Sequence, residues 1–334
     1  MTKIALLGGG SWGTALAIVL SRSSAAHRLS LWVHDPALAK TMRARRSNDT
    51  YLPGFVIPAG VEISNSMPEV LEGAQIVFGV MPAANARSVY TQALPSLVPE
   101  TVFVSATKGL EPSTHARMSE VLSQVLAGKF SPRFSVLSGP SFALETARGD
   151  PTAVVIAAED AALAIALQKE CAGKTFRLYT NSDPLGVELA GAMKNVIAIA
   201  AGACEGVGLG QNSTAALITR GLAEMTRLAV ALGGRPETFS GLAGLGDLVL
   251  TCTGALSRNR FVGVELGRGR RLPQILAGMR QVAEGVGTAT ALFDLARAAG
   301  VEMPISRQVF AILNEEKSAL EAIRETMDRP LKRE

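Results

Sequence analysis

The sequence predicts an α/β protein, with a doubly wound parallel sheet at the N-terminus and an all-helical domain after it. Three observations predict it. A glycine-rich turn lies between a strand pattern and a helical pattern in residues 3–21. Strand and helix patterns then alternate as far as about residue 180, and beyond Asn181 the helical signals continue without a convincing strand. Strands that alternate with helices argue a parallel sheet with helices on both faces. At 334 residues the chain is long enough for two domains and a large core.

The first element is the apolar run Lys3-Ile4-Ala5-Leu6-Leu7. It ends in Gly8, Gly10 and Gly13, which is G-x-G-x-x-G, and a helical pattern from Thr14 to Ser21 follows. Strand, glycine turn and helix in that order are what a dinucleotide pyrophosphate needs. Gly8 makes the tight turn, Gly10 admits the phosphates to the backbone, Gly13 lets helix pack on strand, and the helix N-terminus favours an anion. The domain is therefore expected to be Rossmann-like. Two other readings share the stretch: a glycine loop with no ligand, and a secretory signal running from Lys3 through Leu20 to the small residues Ser23–Ala26. Against the second, the glycines interrupt the apolar region and Leu31-Trp32-Val33 resumes a strand pattern.

Further strands are expected at 29–33, 75–80, 101–105, 134–138, 153–157 and 176–179. Several end in small or polar residues: Met81-Pro82, Thr107-Lys108-Gly109 and Ser138-Gly139-Pro140-Ser141. Carboxyl ends of strands face the ligand in open α/β sheets, so position alone makes Lys108 and Ser141 site candidates. The second strand ends in His34 and Asp35, where an NAD site typically has an acidic residue for the ribose hydroxyls. His34 with Arg43 or Arg45 would suit a 2′-phosphate, whereas Asp35 would accept from NAD. The reading leans to NADP(H) and leaves NAD(H) open.

The boundary is expected at 181–185, giving domains 1–182 and 183–334. Asp183 reads as N-cap and Pro184 as first residue of a long helix running to about Cys204. Helical patterns then cover 212–232, 247–253, 258–267, 284–299 and 304–314. On the long helix Gly191, Lys194, Ala198 and Ala201 recur three or four apart, with Asn195 and Gly202 beside them. A lysine on that small-residue face would be desolvated, lowering its pKa towards an acid/base range. A lysine that buries its stem and keeps its ammonium in water fits the position equally. The glycine-rich stretch from Gly241 to Gly246 leads into Asp247, with Thr251 one turn on. Asp247 reads either as a plain helix cap or as the partner of a buried lysine. In Ser257-Arg258-Asn259-Arg260 an arginine stands beside hydroxyl and amide donors, which suits a phosphate; a surface salt bridge is the plainer alternative.

Hydrophobic residues make up 48% and charged residues 19%, which argues against disorder, and a net charge of +4 is mild. The basic clusters Arg43, Arg45, Arg46 and Arg329, Lys332, Arg333 lack the interleaved aromatics of a nucleic-acid platform, and the tail reads as solvated surface. Cys171, Cys204 and Cys252 are scattered, as are His27, His34 and His115; reduced thiols in a cytoplasmic protein and no metal site are expected. No apolar run reaches membrane-spanning length without charge or glycine, so no integral membrane segment is expected.

Taken together, the motifs resemble those of bacterial NAD(P)-dependent glycerol-3-phosphate dehydrogenase. They are Gly8 to Gly13 as G-G-G-S-W-G, Trp32-Val33-His34-Asp35-Pro36, Ala106-Thr107-Lys108-Gly109-Leu110, Ser138-Gly139-Pro140-Ser141-Phe142-Ala143, Gly191-Ala192-Met193-Lys194-Asn195-Val196, Gly244-Leu245-Gly246-Asp247-Leu248 and Ser257-Arg258-Asn259-Arg260. They stand in family order, and the resemblance spans Gly8 to Glu284. It implies reversible hydride transfer between sn-glycerol 3-phosphate and dihydroxyacetone phosphate, with Lys194 as proton acceptor in oxidation and donor in reduction. Lys108, Gly139, Ser141, Lys194, Asp247, Ser257, Arg258 and Asn259 match substrate-binding positions. Ser11, Trp12, His34, Lys108, Ala143, Arg258, Val282 and Glu284 match cofactor-binding positions, beside the loop glycines.

Near Lys194, a second lysine such as Lys108 would depress the ammonium pKa and Asp247 would raise it, which makes Lys194, Asp247 and Lys108 the catalytic candidates. The resemblance also implies a cytoplasmic homodimer that supplies glycerol phosphate for phospholipid synthesis. The 3-hydroxyacid and 6-phosphogluconate dehydrogenases share a glycine loop and a helical domain with a lysine-asparagine pair, but Gly-Leu-Gly-Asp and Ser-Arg-Asn-Arg favour glycerol phosphate. A nucleotide sensor without turnover is the non-enzymatic alternative; Lys194 and Asp247 on expected buried faces speak against it.

Overall fold

A computed structural model describes residues 1–331; Lys332 and Arg333 of the basic tail lie outside the described residues. Short apolar runs form the strands β1 (Thr2–Leu7), β2 (His27–Trp32), β3 (Ser47–Asn48), β4 (Leu52–Val56), β5 (Val61–Ser64), β6 (Ile76–Gly79), β7 (Val102–Ser105), β8 (Arg133–Ser138), β9 (Thr152–Ala157) and β10 (Phe176–Asn181). Eight of them make one sheet in the order β10-β9-β8-β7-β6-β1-β2-β5, and β3 with β4 makes a separate antiparallel hairpin. All seven strands expected from the sequence are present. The hairpin and β5 were not foreseen, because β3 has two residues and β4 contains Pro53 and Gly54.

Between these strands lie α1 (Ser11–Leu20), α2 (Pro36–Arg45), α3 (Met67–Leu71), α4 (Ala86–Ala93), α5 (Met118–Leu126), α6 (Ala143–Arg148) and α7 (Ala161–Cys171). Side chains alternate across the sheet. Ile4, Leu6, Leu31 and Val104 pack with Leu16, Leu20 and Leu167 on one face. Ala5, Leu7, Val77 and Phe103 pack with Val70, Tyr90 and Leu122 on the other.

The sheet is parallel from β5 to β8, but β9 meets β8 antiparallel and β10 runs parallel to β9. The expectation of a parallel sheet therefore holds for six strands, and two edge strands are reversed. The cause is the connection after β8. It does not cross the sheet; it forms α6, whose Ala147 packs on Ala15 and Ile18 of α1, so the chain re-enters from the end at which β8 left.

Asp183 caps the next helix, α8 (Pro184–Val207), by accepting from the Gly186 N–H at 2.8 Å, with Pro184 in the first turn. Beyond it come α9 (Gln211–Ala231), α10 (Pro236–Ser240), a π-helical turn at Leu242–Gly246, α11 (Asp247–Thr253), α12 (Arg258–Gly267), α13 (Leu272–Ala277), α14 (Glu284–Ala298), α15 (Pro304–Asn314) and α16 (Ala319–Met327). No strand occurs beyond Asn181 among the described residues. The chain divides into two compact units, Met1–Glu111 with Ala116–Glu188, and Pro112–His115 with Leu189–Glu334.

By length and composition α8 could cross a membrane, but the apolar window is wholly buried within the protein, as in a core helix. Its glycines explain part of that burial. A Cβ on Gly202 would sit 2.0 Å from the Arg260 carbonyl oxygen, and one on Gly263 2.0 Å from that of Ile199. A Cβ on Gly206 would lie 2.2 Å from the Val264 carbonyl oxygen and one on Gly267 2.4 Å from that of Ala203, so α8 and α12 touch backbone to backbone.

Candidate active site

The glycine loop separates fold requirements from ligand requirements. Gly8 has φ +139°, and a Cβ there would lie 2.7 Å from the Val80 carbonyl oxygen. One on Gly13 would lie 1.8 Å from the Gly8 oxygen. Turn and packing demand both residues. Gly10 is different: a Cβ would meet nothing within 4 Å, so no neighbour in the protein excludes a side chain there. A group arriving from outside would use that space. Gly10 is also the N-cap of α1 and brings no side-chain cap, and the first turn holds no acid. Trp12 Nε1 is buried without a hydrogen-bond partner. These features fit the pyrophosphate of a dinucleotide.

At the end of β2, His34 is exposed and lies edge-on to Trp32, with ring centroids 5.5 Å apart. Asp35 caps α2, accepting from the N–H groups of Ala37 at 2.8 Å and Leu38 at 3.2 Å. The carboxylate is thus committed to the helix. The nearby arginines separate by role. Arg46, at φ 52°, donates to the carbonyls of Ile57, Pro58 and Val61, and burial lowers its pKa. Arg45 lies 3.5 Å from Asp49, and Arg43 is exposed.

Lys108, Gly139 and Ser141 converge at the ends of β7 and β8. Lys108 Nζ donates to the Gly139 carbonyl at 2.8 Å and to Ser141 Oγ at 3.3 Å, and Ser141 Oγ donates to the same carbonyl at 2.9 Å. Gly139 has φ +133°, and a Cβ would come 3.0 Å from Val154 Cα, so backbone geometry requires this glycine. Ala143 opens α6 and packs with Trp12 and Phe55 around Ala15, Ile18, Leu52 and Ala147.

In the helical unit Lys194 and Asp247 are 5% and 1% exposed, so the ammonium does not reach solvent. Lys194 Nζ donates to Asp247 Oδ1 at 2.5 Å and to Thr251 Oγ1 at 2.9 Å, and Thr251 Oγ1 donates to the Asp247 carbonyl at 2.6 Å. Asp247 is the first residue of α11 and the cap is Gly246, which removes the plain-cap reading. Burial pushes the neighbouring Cys252 thiol up to about 12. A buried ion pair is a poor way to gain stability, so its presence points to chemistry.

The neighbouring residues are ordered by amides. Asn259 Nδ2 donates to Asn195 Oδ1 at 2.9 Å, and the Gly285 N–H donates to Asn259 Oδ1 at 2.9 Å, tying α8, α12 and α14. Ser257 caps α12, accepting from the Arg260 N–H at 3.2 Å. Arg258 in the first turn has an exposed side chain. Nearby atoms still desolvate the guanidinium enough to lower its pKa, and the Glu284 carboxylate opposes this. The plain salt bridge belongs to its neighbour: Arg260 meets Glu205 at 2.6 Å. Val282 is exposed, and Glu284 begins α14. The Asn195–Asn259–Gly285 tie was not foreseen from the sequence, since its members lie 64 and 26 residues apart.

Known proteins resemble both halves of the chain. Residues 3–164 match the family model for the NAD-dependent glycerol-3-phosphate dehydrogenase N-terminus, and residues 183–324 that for its C-terminus. The chain is 56% identical over 331 residues to glycerol-3-phosphate dehydrogenase [NAD(P)+] of Koribacter versatilis, covering 99% of this chain and 98% of that one. It is 53% identical to the enzyme of the same name from Acidobacterium capsulatum, covering 99% of each. The crystal structure of glycerol-3-phosphate dehydrogenase from Coxiella burnetii superposes with a TM-score of 0.92 at 40% identity, over 98% of this chain and 99% of that one. With both family models matched and relatives above half identity along its length, the chain belongs to the NAD(P)-dependent glycerol-3-phosphate dehydrogenase family of oxidoreductases.

Proposed function

We propose that the protein interconverts sn-glycerol 3-phosphate and dihydroxyacetone phosphate, with residues 1–182 binding NAD(P) and residues 183–334 handling the proton and the substrate. The observation that carries this reading is the sealed Lys194–Asp247 pair at 2.5 Å. A bound nicotinamide supplies the hydride in reduction and takes it in oxidation. Lys194 gives a proton to the ketone oxygen in one direction and takes it from the alcohol in the other. Asp247 and Thr251 fix the position of the ammonium. Arg258, an exposed guanidinium at a helix N-terminus, takes the phosphate. Lys108, held by Gly139 and Ser141, contributes a second cation and completes the catalytic set. Ser11, Trp12, His34, Ala143, Val282 and Glu284 line the cofactor, NADP(H) being preferred and NAD(H) used. The protein acts as a cytoplasmic homodimer feeding phospholipid synthesis, as family resemblance implies.

The test is NADPH oxidation with dihydroxyacetone phosphate compared with dihydroxyacetone. Rapid oxidation with the phosphate alone is expected. No oxidation with either by protein that binds NADPH would overturn the reading and leave a nucleotide sensor.

A further inference from the structure

The β3–β4 hairpin, outside the main sheet, carries a buried carboxamide. Asn48 is 0% exposed. Its Nδ2 donates to the Gly9 carbonyl at 2.9 Å and to Thr14 Oγ1 at 2.8 Å, while Oδ1 accepts from the Tyr51 N–H at 3.2 Å. Both amide donors are therefore used, one on the glycine loop and one on the first turn of α1. The opposite amide orientation would set an oxygen against the Gly9 carbonyl, so the network fixes which way the group points.

We propose that Asn48 is a positioning residue for the dinucleotide: it fastens the Gly9–Gly10 peptide so that the loop offers an N–H, not a carbonyl, to the pyrophosphate. The peptide is planar and trans, so the Gly9 C=O and the Gly10 N–H point in opposite directions. Tying the carbonyl to the hairpin turns the N–H away from it, at the residue beside which the protein leaves open space. Three consecutive glycines have little steric preference of their own, and an untied peptide would be free to turn its carbonyl to the anion. Asn48 in turn stands on a braced support. Arg46 ties one end of the hairpin to the carbonyls of Ile57, Pro58 and Val61, and Leu52 packs on Ala15 and Ile18 of α1. A loop ordered before its ligand arrives gives up less entropy on binding.

The inference rests on the dinucleotide reading of the loop, and its test is equilibrium binding without substrate. Dissociation constants for NADPH and NADH are measured by tryptophan fluorescence in wild type, Asn48→Asp and Asn48→Leu, with thermal midpoints alongside. Asn48→Asp keeps the volume and the acceptor for Tyr51 but replaces both donors by oxygen. Both cofactors should weaken about tenfold and to the same degree, because they share the pyrophosphate. In steady state the cofactor KM should rise while kcat at saturating cofactor stays within about threefold. A merely structural residue would lower the midpoint and leave affinity below it unchanged, and that result overturns the proposal. Should neither variant fold, Thr14→Val removes one acceptor only; about threefold weakening supports the proposal and unchanged affinity overturns it. A wild-type protein that binds neither cofactor would remove the dinucleotide reading itself, and this inference with it.

Discussion

Lys194 and Asp247 form an ion pair at 2.5 Å with side chains only 7% and 2% exposed. Removing one partner of such a pair strands the other charge and costs about 3–5 kcal/mol, so the single variant Lys194→Met confounds chemistry with stability. The double variant Lys194→Met with Asp247→Asn removes both charges. It is expected to keep a thermal midpoint near that of wild type and wild-type NADPH affinity, while kcat falls roughly 100- to 10,000-fold. Lys194→Arg should not restore turnover, since a guanidinium does not give up its proton near neutrality. Near-normal turnover in the double variant would make Lys108 the next candidate for proton transfer.

Arg258→Met should cut kcat/KM for dihydroxyacetone phosphate by about 100-fold or more and that for dihydroxyacetone far less, because a charge-assisted hold on the phosphate positions the carbon that reacts. Because the side chain is exposed, the thermal midpoint should stay near that of wild type. Equal losses on both substrates would take Arg258 off the substrate phosphate.

Cofactor preference should respond to His34. Asp35 is occupied at the N-terminus of α2, so the turn holds no carboxylate committed to the ribose. His34→Asp adds one, and the NADPH/NADH ratio of kcat/KM should fall about tenfold, the equivalent of ~1.4 kcal/mol. Arg46→Met should lower the thermal midpoint without moving the ratio, because its guanidinium braces backbone carbonyls. An unchanged ratio in His34→Asp would place discrimination elsewhere.

Stability should depend on pH through Glu188. Burial pushes its carboxyl above the ordinary 4.5, opposed by Arg117 at 3.0 Å and by the Ser119 N–H and hydroxyl at 2.8 and 2.6 Å. With the folded value above the unfolded one, the folded state holds the extra proton. The contribution is complete below the unfolded value and is lost as pH rises through the folded one. Glu188→Gln should therefore gain on wild type as pH rises above about 4.5, read as urea midpoints at successive pH values. A difference that stays constant with pH would show that Glu188 titrates alike in both states.

Local chemistry was legible in the sequence and long-range packing was not. The glycine turn, seven strands and the Asp183 cap rest on residues that signal within a few positions of themselves, whereas local pattern left Lys194 and Asp247 between two readings and only the family resemblance singled them out. Nothing near β9 tells that it runs backwards, because its direction depends on α6 packing against α1. Arg45 and Arg46 look alike in sequence; the left-handed backbone at Arg46 sends one guanidinium inward and leaves the other at the surface. Nothing in the local sequence singles out Asn48, and only the fold shows that it grips a glycine 39 residues away.

The glycine contact between α8 and α12 bears on substrate size. Lys194 belongs to one helix and Arg258 opens the other; at Gly202, Gly206, Gly263 and Gly267 these helices touch backbone to backbone, and beside Lys194 and Arg258 the Asn195–Asn259 hydrogen bond joins them. Side chains in a core can exchange volume with their neighbours; two touching backbones cannot. On the roles proposed for Lys194 and Arg258, the span from proton donor to phosphate is therefore a fixed calliper. A homologue adapted to a substrate one carbon longer would have to change the loops that lead into α11 and α12, because repacking between α8 and α12 offers no slack.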